Sequence, residues 1–388
     1  MNVIYLDHHS TTPVDKRVLD VMLPYFSEAY GNASSGSHAY GWQAEEAVDL
    51  ARGHVASLMG AHPSEVTFTS GATESIGLAL LGVAENYCSD RSGHFITQVT
   101  EHSAVLETCQ ELERRGHRVT YLPVNSEGLI SLDDLDAAIS DDTVLVSIMH
   151  ANNEIGTIQP IQEIGEVCAA SRVMLHVDAA QTFGLVPISV KELGISLLSV
   201  SSHKLYGPKG VGALYTRRRG PRVQLRPRSF GGGHEGGRRA GTLNVPGIVG
   251  FGHAAKIASE EMVQRYGDLM LLRERLEEGL AATGVPFSVN GALESRLPHN
   301  SNLTFPGISA EDMILECRSL ALSTTAACAS SEKKPSHVIL ALGHPADYAA
   351  STIRIGLGKD LTLETIDKVV EILSSARTKL AEKEEAND

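Results

Sequence analysis

Residues 196–207 read "SLLSVSSHKLYG". A short apolar run breaks off into Ser201, Ser202, His203 and Lys204. Such a run has the length of a strand buried on both faces, the pattern of an interior strand in a parallel sheet. Ending it in two hydroxyls, an imidazole and an amine contributes nothing to a core. If other strands end in the same way, the sheet carries a site at one edge.

They do. After "VTFTS" come Gly71, Ala72, Thr73 and Glu74; after "HFITQVT" come Glu101 and His102. "TVLVSIM" leads into His150, Asn152, Asn153 and Glu154, and "VMLHV" into Asp178 with Gln181 three residues on. Helical stretches separate most of these strands, among them "IGLALLGVAENY", "SAVLETCQELERRG" and "IQEIGEVCAAS". This alternation predicts an α/β fold: a mostly parallel sheet with helices on both faces. Ligands of such sheets sit beyond the carboxyl ends of the strands. Each polar group could cap a helix or satisfy a loop singly, and Thr73 alone is an ordinary N-cap. Five strand ends in succession describe a site.

A long helical stretch over about 246–283 follows, then short strands ("FSVNG", "SNLTF", "STIRIGL") mixed with helices ("AEDMILECRSL", "TLETIDKVVEILSSARTKL"). That mixture predicts a smaller α+β domain, beside which the helices of residues 15–60 are expected to pack. The 388-residue length suits two or three domains.

The net charge of −14 argues against nucleic-acid or anionic-membrane partners. Eight arginines between Arg217 and Arg239, opposed by Glu235, are the local exception. No apolar run is long enough to span a bilayer and no secretory signal is visible. Five cysteines without CxxC pairing suggest no disulfide framework, a reducing compartment and a cytoplasmic location. One of them, Cys328, sits in "ALSTTAACASSEKKP" (residues 321–335), a loop-like run of small polar residues. Taken alone it is a small residue that happens to be a thiol, or else a nucleophile on an arm.

The chemistry narrows by residue type. HExxH is absent and "GGGHEGG" lacks ligand spacing, so no metal site is expected. GxSxG is absent, as are GxxxxGK[ST] and a GxGxxG after the first strand. A lysine able to form a Schiff base, with an aspartate for a pyridinium nitrogen, is what a protein contributes to pyridoxal 5'-phosphate (PLP) chemistry. Lys204 and Asp178 meet that description, and the Gly71–Thr73 turn opening a helix would suit the phosphate.

Eight stretches carry a resemblance: "YLDHHSTTPVD", "TSGATES", "TEHSAVL", "SIMHANNEIG", "HVDAAQTFG", "SSHKLYGPKGVGALY", "GGGHEGGRRAGTLNV" and "STIRIGLG". In this order, from about residue 3 to 375, the chain resembles the cysteine desulfurases. These are class V, fold-type I PLP enzymes, and the branch most similar serves iron–sulfur cluster assembly. The resemblance implies a large PLP domain over 15–260 with a seven-stranded sheet. The small α+β domain would comprise 1–14 and 261–388 and carry a mobile cysteine loop near 321–335.

It implies roles as well. Lys204 would hold the cofactor and move the substrate's α-proton, Asp178 would pair with the ring nitrogen, and His102 would stack on the ring and shuttle protons. Asn153 and Gln181 would contact the phenolic oxygen. Ala72, Thr73, Ser201 and His203 would bind the phosphate, joined by Thr242 from the partner of a homodimer. Arg354, with Asn32, would hold the L-cysteine carboxylate, and Arg239 would lie near the site. Cys328 would accept the sulfur as a persulfide and hand it to an iron–sulfur scaffold or another acceptor protein. The alternatives are a selenocysteine or C–S lyase or an aminotransferase, none needing a thiol, and a non-catalytic scaffold.

The chain departs from the family pattern in three places. One is a tail, "RTKLAEKEEAND", shorter than the extension with which some relatives dock a scaffold protein, which leaves the acceptor open. Thr324 and Thr325 stand where relatives have glycine or serine before the cysteine, which should stiffen the loop modestly. Ile76 and Gly77 occupy positions more often polar.

Overall fold

The computed structural model describes residues 3–324 and 334–385. The chain opens with β1 (Ile4–Tyr5), α1 (Lys16–Met22), α2 (Pro24–Ser27) and α3 (Ala39–Leu58). The alternating region follows: β2 (Val66–Thr69), α4 (Ala72–Tyr87), β3 (His94–Gln98), α5 (Ser103–Arg114) and β4 (Arg118–Leu122). It continues through α6 (Leu132–Ala138), β5 (Thr143–Met149), α7 (Ile161–Ala170), β6 (Met174–Asp178), β7 (Leu197–Ser201) and β8 (Gly212–Thr216). These strands form a seven-stranded sheet in the order β2-β8-β7-β6-β5-β3-β4. It is parallel except at β8, which runs antiparallel to both β2 and β7. From β3 the chain steps to β4 on one side and then to β5 on the other. A cleft therefore opens at the carboxyl ends of β3 and β5.

The 38-residue α8 (Val245–Ala282) leads out of this layer. Beyond it lie β9 (Ser288–Val289), β10 (Asn300–Thr304), α9 (Ala310–Glu316), β11 (Leu320–Ala321) and β12 (Ser323–Thr324). After the undescribed stretch come α10 (His337–Ala341), α11 (Ala346–Ala350), β13 (Thr352–Gly356) and α12 (Leu363–Glu385). A four-stranded antiparallel sheet, β12-β13-β10-β9, packs its apolar residues with α8, α9 and α12. β1 pairs in parallel with β11, so the first residues of the chain are tied to this second layer.

Two separate cores meet along α8. Its first half (Ile248, Phe251, Ala255) joins the core of the large sheet, and its second half (Leu269, Leu272, Leu276) joins the smaller one. The expected boundary at 260 therefore falls inside one continuous helix. The expectation for residues 15–60 is corrected here. Val18, Met22, Ala44, Val48 and Val55 share the large sheet's core with Phe68 and Val200, not the smaller domain's. The cause is a close helix crossing. A Cβ on Gly252 would come within 2.4 Å of Ala51 Cα, so only glycine lets α3 and α8 approach this far.

Buried histidines make the fold acid-sensitive. His176 lies inside the sheet, hydrogen-bonded to Ser147 Oγ (2.8 Å) and Ser199 Oγ (2.9 Å), and burial pushes it down to about 3. Burial likewise pushes His299 down to about 3 and His150 to about 4. These groups stay neutral in the fold but bind protons once unfolded. Their contribution is intact above about pH 6.5 and is lost as pH falls toward 4. At pH 5 each should cost about 2 kcal/mol. Urea midpoints at pH 7 and pH 5 should differ accordingly, and His176→Gln should shrink the difference by the equivalent of about 2 kcal/mol. An unchanged difference in that variant would refute burial as the cause.

Candidate active site

A cavity of about 550 Å³ lies at the carboxyl ends of the strands. β7 delivers Ser201, His203 and Lys204 to its wall, β6 delivers Asp178 and Gln181, β5 delivers Asn153, and β3 delivers His102. β2 delivers Ala72 and Thr73 on the first turn of α4, and β13 delivers Arg354 from the second layer. Of the thirteen residues expected, ten line this one space. Asn32 does not line it; its Oδ1 accepts from Ser34 N–H (2.9 Å) in an exposed turn. Thr242 is exposed and also outside the lining, and Cys328 falls outside the described residues.

One end of the cavity suits an anion. α4 starts without a side-chain cap, which leaves its first N–H groups facing the space beside Thr73, Ser201 and His203. A Cβ on Gly212 would fall 2.7 Å from Gly71 Cα, so glycine is what lets the turn close onto β8. His203 hydrogen-bonds Thr11 Oγ1 (3.1 Å) and is pushed down to about 4 by burial, then by Lys204 and Lys209. Glu74 lines the cavity and takes the Arg239 guanidinium (Nε to Oε1, 2.9 Å), while Arg239 itself does not line it.

The deep end is acidic. Asp178 is 6% exposed, and its Oδ1 accepts from Ala180 N–H (2.9 Å). Burial pushes its carboxyl up, offset in part by that hydrogen bond and by the charges of His102 and Lys204. A buried carboxylate under this tension is stabilised by a cation brought against it. His102 caps α5, its Nδ1 accepting from Ala104 N–H (3.1 Å), and burial lowers its basicity. The neutral ring therefore carries its proton on Nε2.

Between the two ends, Lys204 Nζ donates to the carbonyls of His9 and Ser10, the latter at 2.8 Å. Arg354 is 2% exposed. Nη2 donates to Asp7 Oδ1 (2.8 Å) and Ser10 Oγ (3.1 Å), and Nη1 donates to the Asn153 carbonyl (2.9 Å). The fork is thereby held rigid, while Nε meets no acceptor among the described residues. Ile76 packs at 1% exposure into the α4 core and touches the cavity, which accounts for an apolar residue there.

His9, Ser10 and Thr11 also line the cavity and were not anticipated singly. The signal was present: "VIYL" followed by Asp7, His8, His9, Ser10 is one more strand ending in polar groups. Its partners lie 194 and 195 residues away, beyond any local pattern.

The donor set matches PLP: an anion cradle, an amine midway and a buried carboxylate opposite. Among the described residues no group of histidines, cysteines and carboxylates is arranged to hold a metal, and no helix is long and apolar enough to cross a membrane.

A family model for class-V aminotransferases matches residues 4–369. The cysteine desulfurase IscS of Anaeromyxobacter sp. (strain Fw109-5) is 50% identical over 379 residues, 98% of this chain and 93% of that protein. The protein of that name from Neisseria meningitidis (strain FAM18) is 48% identical over the same shares. Among solved structures, a NifS-like protein superposes with a TM-score of 0.89 at 39% identity, covering 98% of this chain and 99% of its own. A structure titled SspA in complex with cysteine gives 0.81 at 38% identity over 91% and 98%.

Proposed function

The chain belongs to the class-V aminotransferases and, within them, to the cysteine desulfurases, and on that premise we propose how its residues take sulfur from L-cysteine. The reaction gives L-alanine and a persulfide, and PLP is the cofactor. The observation that carries the assignment of roles is the convergence of Lys204, Asp178, His102 and Arg354 on one cavity.

Bound PLP supplies an electron sink for the pair left on Cα of the substrate. Asp178 would hold its charge against the ring nitrogen, His102 would lie on the ring face, and Asn153 and Gln181 would meet the phenolic oxygen. The α4 N-terminus, Ala72, Thr73, Ser201 and His203 would take the phosphate. Arg354 would hold the substrate carboxylate through N–H groups that Asp7, Ser10 and the Asn153 carbonyl leave over. Lys204, once displaced from the cofactor, would take the α-proton, and the His9 and Ser10 carbonyls would receive the resulting ammonium. Cys328 would attack the substrate sulfur as a thiolate. The new S–S bond forms as the Cβ–S bond breaks, the electron pair returns to carbon, and alanine leaves after protonation.

We read the working form as a cytoplasmic homodimer. Leu23, Phe26, Tyr30, Tyr40 and Trp42, all from one stretch, are each at least 50% exposed, apolar surface of the kind a subunit contact covers. In that form Thr242 would complete the partner's phosphate site, and Asn32 would act with Arg354. An iron–sulfur scaffold or another acceptor protein would then take the sulfur.

Incubation with L-cysteine without reductant, followed by mass spectrometry, tests the assignment. One extra sulfur on Cys328 and matching alanine are expected. In Cys328→Ala, alanine turnover should fall at least about tenfold. Undiminished alanine with the sulfur carried as a persulfide of free cysteine, or sulfide with pyruvate and ammonia in place of alanine, would instead identify a lyase that needs no thiol.

A further inference from the structure

His9 is 1% exposed and wedged between the cavity wall and the second layer, its ring 4.2 Å from that of His299. Both ring nitrogens are engaged. Nδ1 lies 3.0 Å from Gln181 Oε1, and Nε2 lies 3.0 Å from Asn300 Nδ2. Gln181 Nε2 returns a hydrogen bond to the His9 carbonyl at 3.1 Å.

The polarity of this chain of bonds follows from one fixed point. Asn300 Nδ2 also donates to the Glu154 carbonyl (2.9 Å), which can only accept. The Asn300 amide therefore turns its NH₂ toward both neighbours, and His9 Nε2 must accept. A neutral His9 then carries its proton on Nδ1, and burial keeps it neutral. Nδ1–H donates to Gln181 Oε1, so the Gln181 amide cannot flip. One N–H of Gln181 goes to the His9 carbonyl, and the other is the donor this side chain has left for the cavity it lines.

We propose that His9 is a positioning residue that locks the Gln181 side-chain amide with its N–H, not its oxygen, toward the cofactor's phenolic oxygen. This rests on the proposed contact between Gln181 and that oxygen. Asn153 alone gives no such guarantee, because an amide presents a donor or an acceptor depending on its rotation. A donor aimed at a phenolate stabilises its negative charge; an acceptor there repels it. Without the lock, the lysine-linked cofactor should hold its proton, and its yellow absorption, to higher pH.

The pH midpoint of that absorption band, read on holoenzyme without substrate, tests the proposal. His9→Asn keeps an amide N–H near the Nδ1 position. His9→Gln reaches Asn300 with its oxygen but places no donor near Gln181. The expected midpoint rises by about one pH unit in His9→Gln and by less than about 0.3 in His9→Asn. Gln181→Ala should raise it by at least as much, and His9→Gln should add nothing in the Gln181→Ala background. Equal midpoints in the two His9 variants would overturn the lock. A shift in His9→Gln with none in Gln181→Ala would overturn it too, and would refute the assigned Gln181 contact as well. No shift in any variant would refute that contact alone as the determinant of the midpoint, and the lock would fall with it.

Discussion

Replacing Lys204 with arginine should lower turnover of L-cysteine by about 10⁴-fold, to the edge of detection. Arginine keeps the positive charge and can still donate to the His9 and Ser10 carbonyls that hold Nζ. The cavity should therefore remain intact. A guanidinium is never deprotonated in this environment, so it can neither form the covalent link nor accept the α-proton. The two losses are separable. The absorption of lysine-linked cofactor should vanish, while the melting temperature of cofactor-free protein should match that of the parent. Residual turnover within tenfold of the parent would remove Lys204 from both roles. A lowered melting temperature would point to a structural part for the ammonium instead.

Asp178→Asn should lower turnover by about 10³-fold. Asparagine can keep the hydrogen bond from Ala180 N–H, so the turn after β6 is preserved. What would disappear is the negative charge proposed to face the ring nitrogen, and with it the reason for that nitrogen to stay protonated. Stability should move the other way. Asp178 is raised above the ordinary carboxylate range by burial, so at neutral pH its ionised form is a cost to the cofactor-free fold. Removing the charge should leave that form as stable or more so above the ordinary carboxylate range. Below that range both the folded and unfolded carboxyls are protonated, and the difference should vanish. Parallel losses of activity and apo stability near pH 7 would contradict this account.

The part of the fold legible in the sequence is the part written in local periodicity. Each sheet strand is a short apolar run, and the site residues that follow it sit within three or four positions of its end. Ser201 to Lys204, Asp178 with Gln181, His102 and Asn153 were therefore readable, and so was their meeting at one sheet edge. What escaped depends on pairings with no local trace. His9 and Ser10 face Lys204 across nearly two hundred residues, and Asp7 meets Arg354 across 347. The placement of α3 turned on Gly252 against Ala51, and that of α1 on Gly250 against Met22, contacts that no hydrophobic pattern announces. α10 and α11, five residues each, are too short for a helical period to show. Asn32 and Thr242 lie away from the cavity.

The residues at the start of the chain have a consequence for how the enzyme is made. Asp7, His9, Ser10 and Thr12 leave the ribosome long before their partners Arg354, Lys204 and His203. β1 likewise waits for β11, whose residues follow it by more than three hundred positions. At about 5–20 residues per second, Asp7 waits on the order of tens of seconds for Arg354 to be synthesised. The large sheet, whose last strand β8 ends at Thr216, can assemble during that interval. The catalytic cavity cannot, because two of its walls meet only when the last strand arrives. Cofactor capture is thus a late event in biogenesis, and a nascent chain stalled before β13 would carry a formed sheet around an unfinished site.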